Sequence, residues 1–242
     1  ITIQNVFEGV GAVAQGEMEE DELDEMERHA CPGAGSCGGM FTANTMASVS
    51  EALGLAPLGS AAAPAEHEER YEIAERAGEI AVDAIENDRR PSDILSKKSF
   101  ENAIALQVAT GGSTNAVLHI LAMAAEAGID LDITEFDEIS RRTPKIANLQ
   151  PGGERVMNDL FEIGGVPVVL RRLLEADLIH GDAMTVTGRT IAEELAHLEE
   201  EGRIPDDDSI DADYLYTVDD PYQEEGAIKI LTGNLAPDGG VL

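Results

Sequence analysis

Apolar positions recur every three to four residues over most of the chain, a spacing that predicts a largely helical protein. Residues 3–14 place Ile3, Val6, Phe7, Val10, Val13 and Ala14 at helical intervals, and Gly16 ends the run. Residues 19–29 predict an acidic helix with Leu23 and Met26 on one side. A helix over about 39–53 is closed by Gly54, and a Pro-, Gly- and Ala-rich loop fills 56–65. A long helix follows over about 66–87, with Ile73, Ala77, Ile80, Ala81, Ala84 and Ile85 as its stripe. Pro91-Ser92-Asp93 restarts a short helix, and 99–108 reads as another. Ser113 is an N-cap candidate for a helix to Ala127, with Gly128 as its C-cap. Thr134 caps a short helix to Arg142, with acid in its first turn. Residues 155–163, 167–176 and 190–200 are helical, and Pro167 suits a first turn. Strand candidates are 145–149, 184–186 and 227–231, and the acidic stretch 199–213, with Pro205, reads as a solvated loop. The fold class is a helix-rich α/β protein with too few strand signals to order a sheet.

Composition sharpens this picture in two ways. Aromatic residues make up 4% and Trp is absent, so a core must be built from Ala, Val, Ile, Leu and Met. Asp and Glu number 48 against 16 Lys and Arg, a formal charge of −32. Such a surface repels phosphate backbones and argues against nucleic acid as a partner. The acid is spread along the chain, Lys is rarer than Arg, and the apolar periodicity opposes disorder, which together are a halophilic signature. No apolar run is long enough to span a bilayer, the 117–125 window being broken by His119, and no signal peptide is visible. Two cysteines make no disulfide framework, so a reducing cytoplasm is the default location.

Both cysteines lie in one Gly-rich loop: Cys31-Pro32-Gly33-Ala34-Gly35-Ser36-Cys37-Gly38-Gly39-Met40-Phe41-Thr42-Ala43-Asn44-Thr45-Met46. Cys37 sits where the following helix should begin, and a helix N-terminus favours a thiolate, the form that ligates metal or attacks an electrophile. On residue chemistry alone, a structural cysteine is an equal reading. A zinc site from the pair lacks two further ligands of suitable spacing. Gly111-Gly112-Ser113-Thr114-Asn115 opens a helix whose free N–H groups suit an anion, although an ordinary N-cap is the commoner use of such a turn. His119 reads as a core histidine and His180-Gly181-Asp182 as a turn or an interface. The acidic runs 19–27 and 206–213 lack calcium-loop spacing and read as solvated faces.

Residues 31–46 closely resemble a cluster-cysteine motif of the dihydroxy-acid and sugar-acid dehydratase family. The resemblance continues through Glu51-Ala52-Leu53-Gly54-Leu55, then through Ala109-Thr110-Gly111-Gly112-Ser113-Thr114-Asn115-Ala116-Val117-Leu118-His119. It resumes in Asp159-Leu160-Phe161-Glu162-Ile163-Gly164-Gly165-Val166-Pro167, His180-Gly181-Asp182, Thr185-Val186-Thr187-Gly188 and Gly233-Asn234-Leu235-Ala236-Pro237. It implies an iron–sulfur enzyme that dehydrates 2,3-dihydroxy-3-methyl acids to 2-oxo acids in valine and isoleucine synthesis. Cys37 would be the iron ligand, Cys31 a packing or supporting residue, and Ser113, Thr114 and Asn115 possible substrate-side residues. A two-iron cluster is expected rather than a four-iron one. The alternatives are a sugar-acid or 6-phosphogluconate dehydratase, or a non-catalytic iron–sulfur module.

The same resemblance implies a Mg2+ ion, with its ligands and the catalytic base on segments outside these 242 residues, so an internal fragment of a longer enzyme is expected. It implies that residues 1–225 belong to an N-terminal α/β domain and 226–242 begin a C-terminal β-barrel. The expected partners are a small dihydroxy acid and a second copy of the chain, with no nucleic acid and no membrane. Ala34, Met40, Phe41 and Met46, with Val117 and Leu118, are candidates for a dry alkyl pocket.

Overall fold

In a computed structural model, residues 1–31, 33 and 37–242 are described, except for the side chain of Asp208. Pro32, Ala34, Gly35 and Ser36 of the cysteine motif, Ala34 of the expected alkyl pocket among them, lie outside the described residues.

The core is organised around one helix that is buried on nearly every side. Eleven helices are formed by the described residues, in the order α1 (Ile3–Gln15), α2 (Glu20–Arg28), α3 (Thr42–Ala52), α4 (Glu69–Glu86), α5 (Pro91–Ile94), α6 (Lys97–Thr110), α7 (Asn115–Glu126), α8 (Thr134–Arg142), α9 (Met157–Glu162), α10 (Val166–Glu175) and α11 (Ile191–Glu200). In α6, Phe100, Ala103, Ile104, Ala105, Leu106, Val108 and Ala109 are all fully buried, the pattern of a helix enclosed by others rather than lying on a surface. It packs against α3, α7, α8 and α10. Two of its buried polar side chains are paired, the Asn102 amide donating to the His180 carbonyl at 3.0 Å and Thr110 Oγ1 to the Leu106 carbonyl at 2.8 Å, whereas Gln107 Oε1 accepts from no described group. α10 is enclosed in the same way from Val166 to Leu173.

Two antiparallel strands, β1 (Ile230–Gly233) and β2 (Ala236–Val241), complete the regular structure, with Ile230 opposite Val241 and a bulge between Leu231 and Gly233. β1 lies against α8. The described residues thus form a helix-rich protein with one hairpin. The expected strand at 145–149 is extended and buried, but it makes only isolated bridges, Lys145 to Gln223, Ala147 to Leu215 and Leu149 to Arg155, because its neighbours are loops rather than strands. Residues 184–186 likewise supply one bridge, Met184 to Thr190.

Two further expectations are corrected. In α4, Ile73, Ile80 and Ala84 turn inward, but Ala77, Ala81 and Ile85 face solvent, Ile85 being 80% exposed. The 199–213 stretch is not simply solvated. Arg171 and Arg172, both buried on α10, reach the Asp207 carboxylate at 3.0 and 2.9 Å, and Ile204 and Ile210 enter the core. No helix among the described residues is long and apolar enough to cross a membrane.

Candidate cysteine site

The backbone that leaves Cys37 is held from three directions before it becomes helical. Met40 N–H donates to the Gln150 carbonyl at 2.7 Å, and Met157 N–H donates to the Gly38 carbonyl at 2.8 Å. The amide of Asn44, on the first turn of α3, donates to the carbonyls of Cys37 and Gly39 at 2.9 and 2.7 Å. Gly39 is needed for this close approach, since a Cβ there would stand 2.9 Å from the Gln150 oxygen. With 38–40 drawn away towards 150 and 157, α3 begins at Thr42, not at about 39. Cys37 therefore precedes the first helical residue by more than one turn.

Cys31 and Cys37 face one cavity of about 320 Å³, Cys31 exposed and Cys37 half-buried. Asn44, Arg70, Asn158 and the small side chains of 61–63 line the rest. Among the described residues, no group of three or more His, Cys, Asp or Glu side chains converges to hold a metal ion. The donor set is a thiol pair beside an alanine wall, which suits a soft, thiolate-preferring metal group as one side of its ligand shell and leaves its other ligands to come from elsewhere. It offers no set of carboxylates for Mg2+.

The alanine wall is positioned by Glu51, a residue of the sequence motif to which the pattern assigned no role. Its side chain is fully buried on α3. Its two oxygens accept from Gly59 N–H at 2.8 Å and Ala61 N–H at 2.6 Å. Burial pushes its carboxyl up to about 7, despite these backbone hydrogen bonds and the nearby Arg203 guanidinium. The signal in the sequence is a single acid between Val49 and Ala52-Leu53, on the inward face of a helix.

Ser113 and Asn115 are brought to α3 but not into the cavity. Ser113 Oγ lies 3.1 Å from Thr42 Oγ1, Asn115 Nδ2 donates to the same Thr42 oxygen at 2.9 Å, and Ser113 N–H donates to Thr45 Oγ1 at 3.0 Å. Thr114 is exposed. None of the three lines the cysteine cavity. Gly111 and Gly152 leave room for Lys145, whose fully buried ammonium donates to the Gly152 carbonyl at 2.6 Å and lies 4.6 Å from the Tyr222 ring centre. Burial holds Lys145 below the usual lysine range.

The remaining candidates fall elsewhere. His119 is exposed, not a core residue. His180 pairs with Glu101 at 2.5 Å, and Asp182 pairs with Lys98. Of the described residues expected to form the alkyl pocket, Met40 and Val117 are core residues and Leu118 is 66% exposed.

Residues 1–194 match the family model described as dihydroxy-acid/6-phosphogluconate dehydratase N-terminal. The chain belongs to this dehydratase family. A dihydroxy-acid dehydratase of Natronomonas pharaonis is 77% identical over all 242 residues, and one of Haloarcula marismortui is 74% identical over the same length. A dihydroxy-acid dehydratase of Roseiflexus sp. strain RS-1 is 48% identical over 243 aligned residues. The chain spans about two fifths of the length of these relatives, 41% of the first two and 42% of the third.

Proposed function

We propose that these residues form part of a dihydroxy-acid dehydratase acting in branched-chain amino acid synthesis, which removes water from a 2,3-dihydroxy-3-methyl acid to give a 2-oxo acid. The observation that carries the reading is the cavity shared by Cys31 and Cys37, in a chain with relatives of that name at 77, 74 and 48% identity. Cys37 is the thiolate we assign to an iron–sulfur group, of the two-iron type. The group, when bound, supplies a Lewis acid for the departing hydroxyl. Asn44 fixes the Cys37 backbone, Glu51 holds the wall at 59–61, and the alanine side chains leave space without adding competing ligands. Cys31, exposed at the cavity edge, is a supporting residue. Magnesium ligands and the base that takes the C2 proton are not assigned to any described residue.

The family model's description also covers 6-phosphogluconate dehydratases, but the relatives' names favour the branched-chain substrate. We read the hairpin at 226–242 as the start of a β-barrel domain, a role that its exposed Leu231 and Leu235 support, and 1–225 as an α/β domain. A second copy of the chain as partner, a cytoplasmic location and halophilic adaptation complete the reading. The test is steady-state turnover by the complete gene product, loaded with iron and sulfide, of 2,3-dihydroxyisovalerate against gluconate. Higher kcat/KM for the branched-chain acid supports the reading, and preference for the sugar acid replaces it with the alternative.

A further inference from the structure

The substrate class proposed above is anionic, and the chain that must receive it carries a formal charge of −32. The long-range field of such a chain opposes binding, and a cationic side chain in the site offsets it locally. Among the described residues lining the cysteine cavity, Arg70 is the only cationic side chain. It is the second residue of α4 and is half-buried. Its Nη1 donates to the Ser60 carbonyl at 3.1 Å, its one side-chain hydrogen bond among the described residues. That contact fixes the guanidinium against the loop that Glu51 holds.

The neighbouring arginines are committed to acids. Arg76 and Arg189 both meet the buried Glu194, at 2.5 and 3.1 Å. Arg203 meets Glu69 at 3.0 Å and Arg89 meets Asp83 at 2.9 Å. Arg70 has no carboxylate partner among the described residues, although acids outnumber bases three to one in the sequence. A half-buried guanidinium with unspent N–H groups, lining a cavity that is also lined by Cys31 and Cys37, is a fork for a planar carboxylate.

We propose that Arg70 binds the carboxylate of a small 2-hydroxy acid in the cysteine cavity. The proposal rests on the dehydratase reading for its substrate class, and its test separates the two. In the complete, cluster-loaded gene product, Arg70→Gln is expected to raise KM for 2,3-dihydroxyisovalerate by roughly 10- to 100-fold, as loss of a charge-assisted hydrogen bond does. The value of kcat and the visible absorption stay close to wild type. Arg70→Lys keeps the charge without the fork and is expected to raise KM several-fold; if the Gln variant fails to fold, this variant decides.

Calorimetric titration with 2-hydroxy-3-methylbutanoate, which has no 3-hydroxyl to lose, gives a readout independent of turnover. Wild type binds it and Arg70→Gln binds at least tenfold more weakly if the proposal holds. Equal binding by the two proteins, or no binding by wild type, overturns it. Lost visible absorption with unchanged KM also overturns it and assigns Arg70 to the metal group's charge instead. Should the gene product turn over no dihydroxy acid while the calorimetric difference persists, the dehydratase reading fails and the carboxylate site stands.

Discussion

Replacing Glu51 by Gln is expected to remove a pH dependence of stability that one buried carboxyl imposes on the whole fold. In the folded protein this carboxyl ionises only near 7, against 4.5 for a free side chain, because it is fully buried. The folded state therefore holds a proton that the unfolded state has released between those two values. Glu51 stabilises the fold fully below 4.5, and that stability is lost as pH rises through about 7. The linkage relation gives a loss of roughly 2–3 kcal/mol between pH 5 and pH 8.

A Gln at this position is neutral at every pH and cannot show that loss. Its amide nitrogen would face one of the two N–H donors at Gly59 and Ala61, which costs about 1–3 kcal/mol at pH 5. The free-energy difference between variant and wild type should therefore move by roughly 2–3 kcal/mol in favour of Gln between pH 5 and pH 8. Other carboxylates are held low by hydrogen bonds, such as Asp137 by Arg141 and Asp182 by Lys98. Their stability is lost only as pH falls below 3.8, and both proteins share it. Urea unfolding at four pH values in constant salt, followed by helical circular dichroism because the chain has no Trp, is the assay. A difference that stays flat to within about 0.5 kcal/mol from pH 5 to 8 would refute the assignment.

The −32 charge predicts a higher melting midpoint in 2 M than in 0.1 M potassium chloride, since screening shortens from about 10 Å to under about 3 Å. An unchanged or lower midpoint in high salt would remove the argument for salt adaptation. Gly54 has φ of +78° and a Cβ there would stand 2.3 Å from the Met184 carbonyl, so Gly54→Ala should cost about 3 kcal/mol or more in chemical unfolding. Gly78 has open space at the same point of its geometry, on the solvent side of α4, so Gly78→Ala should stabilise by about 0.5–1 kcal/mol. Equal effects at the two glycines would contradict the close approach of Gly54 to the Met184 carbonyl.

Much of the helical framework is legible in the sequence because local chemistry sets it. Gly16 and Gly128 end α1 and α7 in left-handed conformations, as their positions after apolar runs suggest. Pro91 opens α5, and Thr190 caps α11 by accepting from Glu193 N–H. What the pattern could not supply is tertiary. The start of α3 is decided by Gln150 and Met157, more than a hundred residues away. The inward face of α4 is decided by partners such as Glu194, which claims Arg76. The acidic 199–213 stretch is anchored because α10 carries two arginines into the core, and one of its many acids, Asp207, answers them. At the site, the cysteine motif stands out by its glycines and by its resemblance to the family. Glu51 and Arg70 do not stand out: one is a lone acid in a helix and the other a base in a charged run, and only packing brings both to the same loop.

In the proposed site, Cys37 and not Cys31 holds the iron–sulfur group. Iron and sulfide content, read together with visible absorption, in the complete gene product carrying Cys37→Ser or Cys31→Ser tests it most directly. Cys37→Ser is expected to lose metal and colour together, while Cys31→Ser, altered only at the exposed edge of the cavity, keeps most of both. Retention by Cys37→Ser with loss in Cys31→Ser would contradict it.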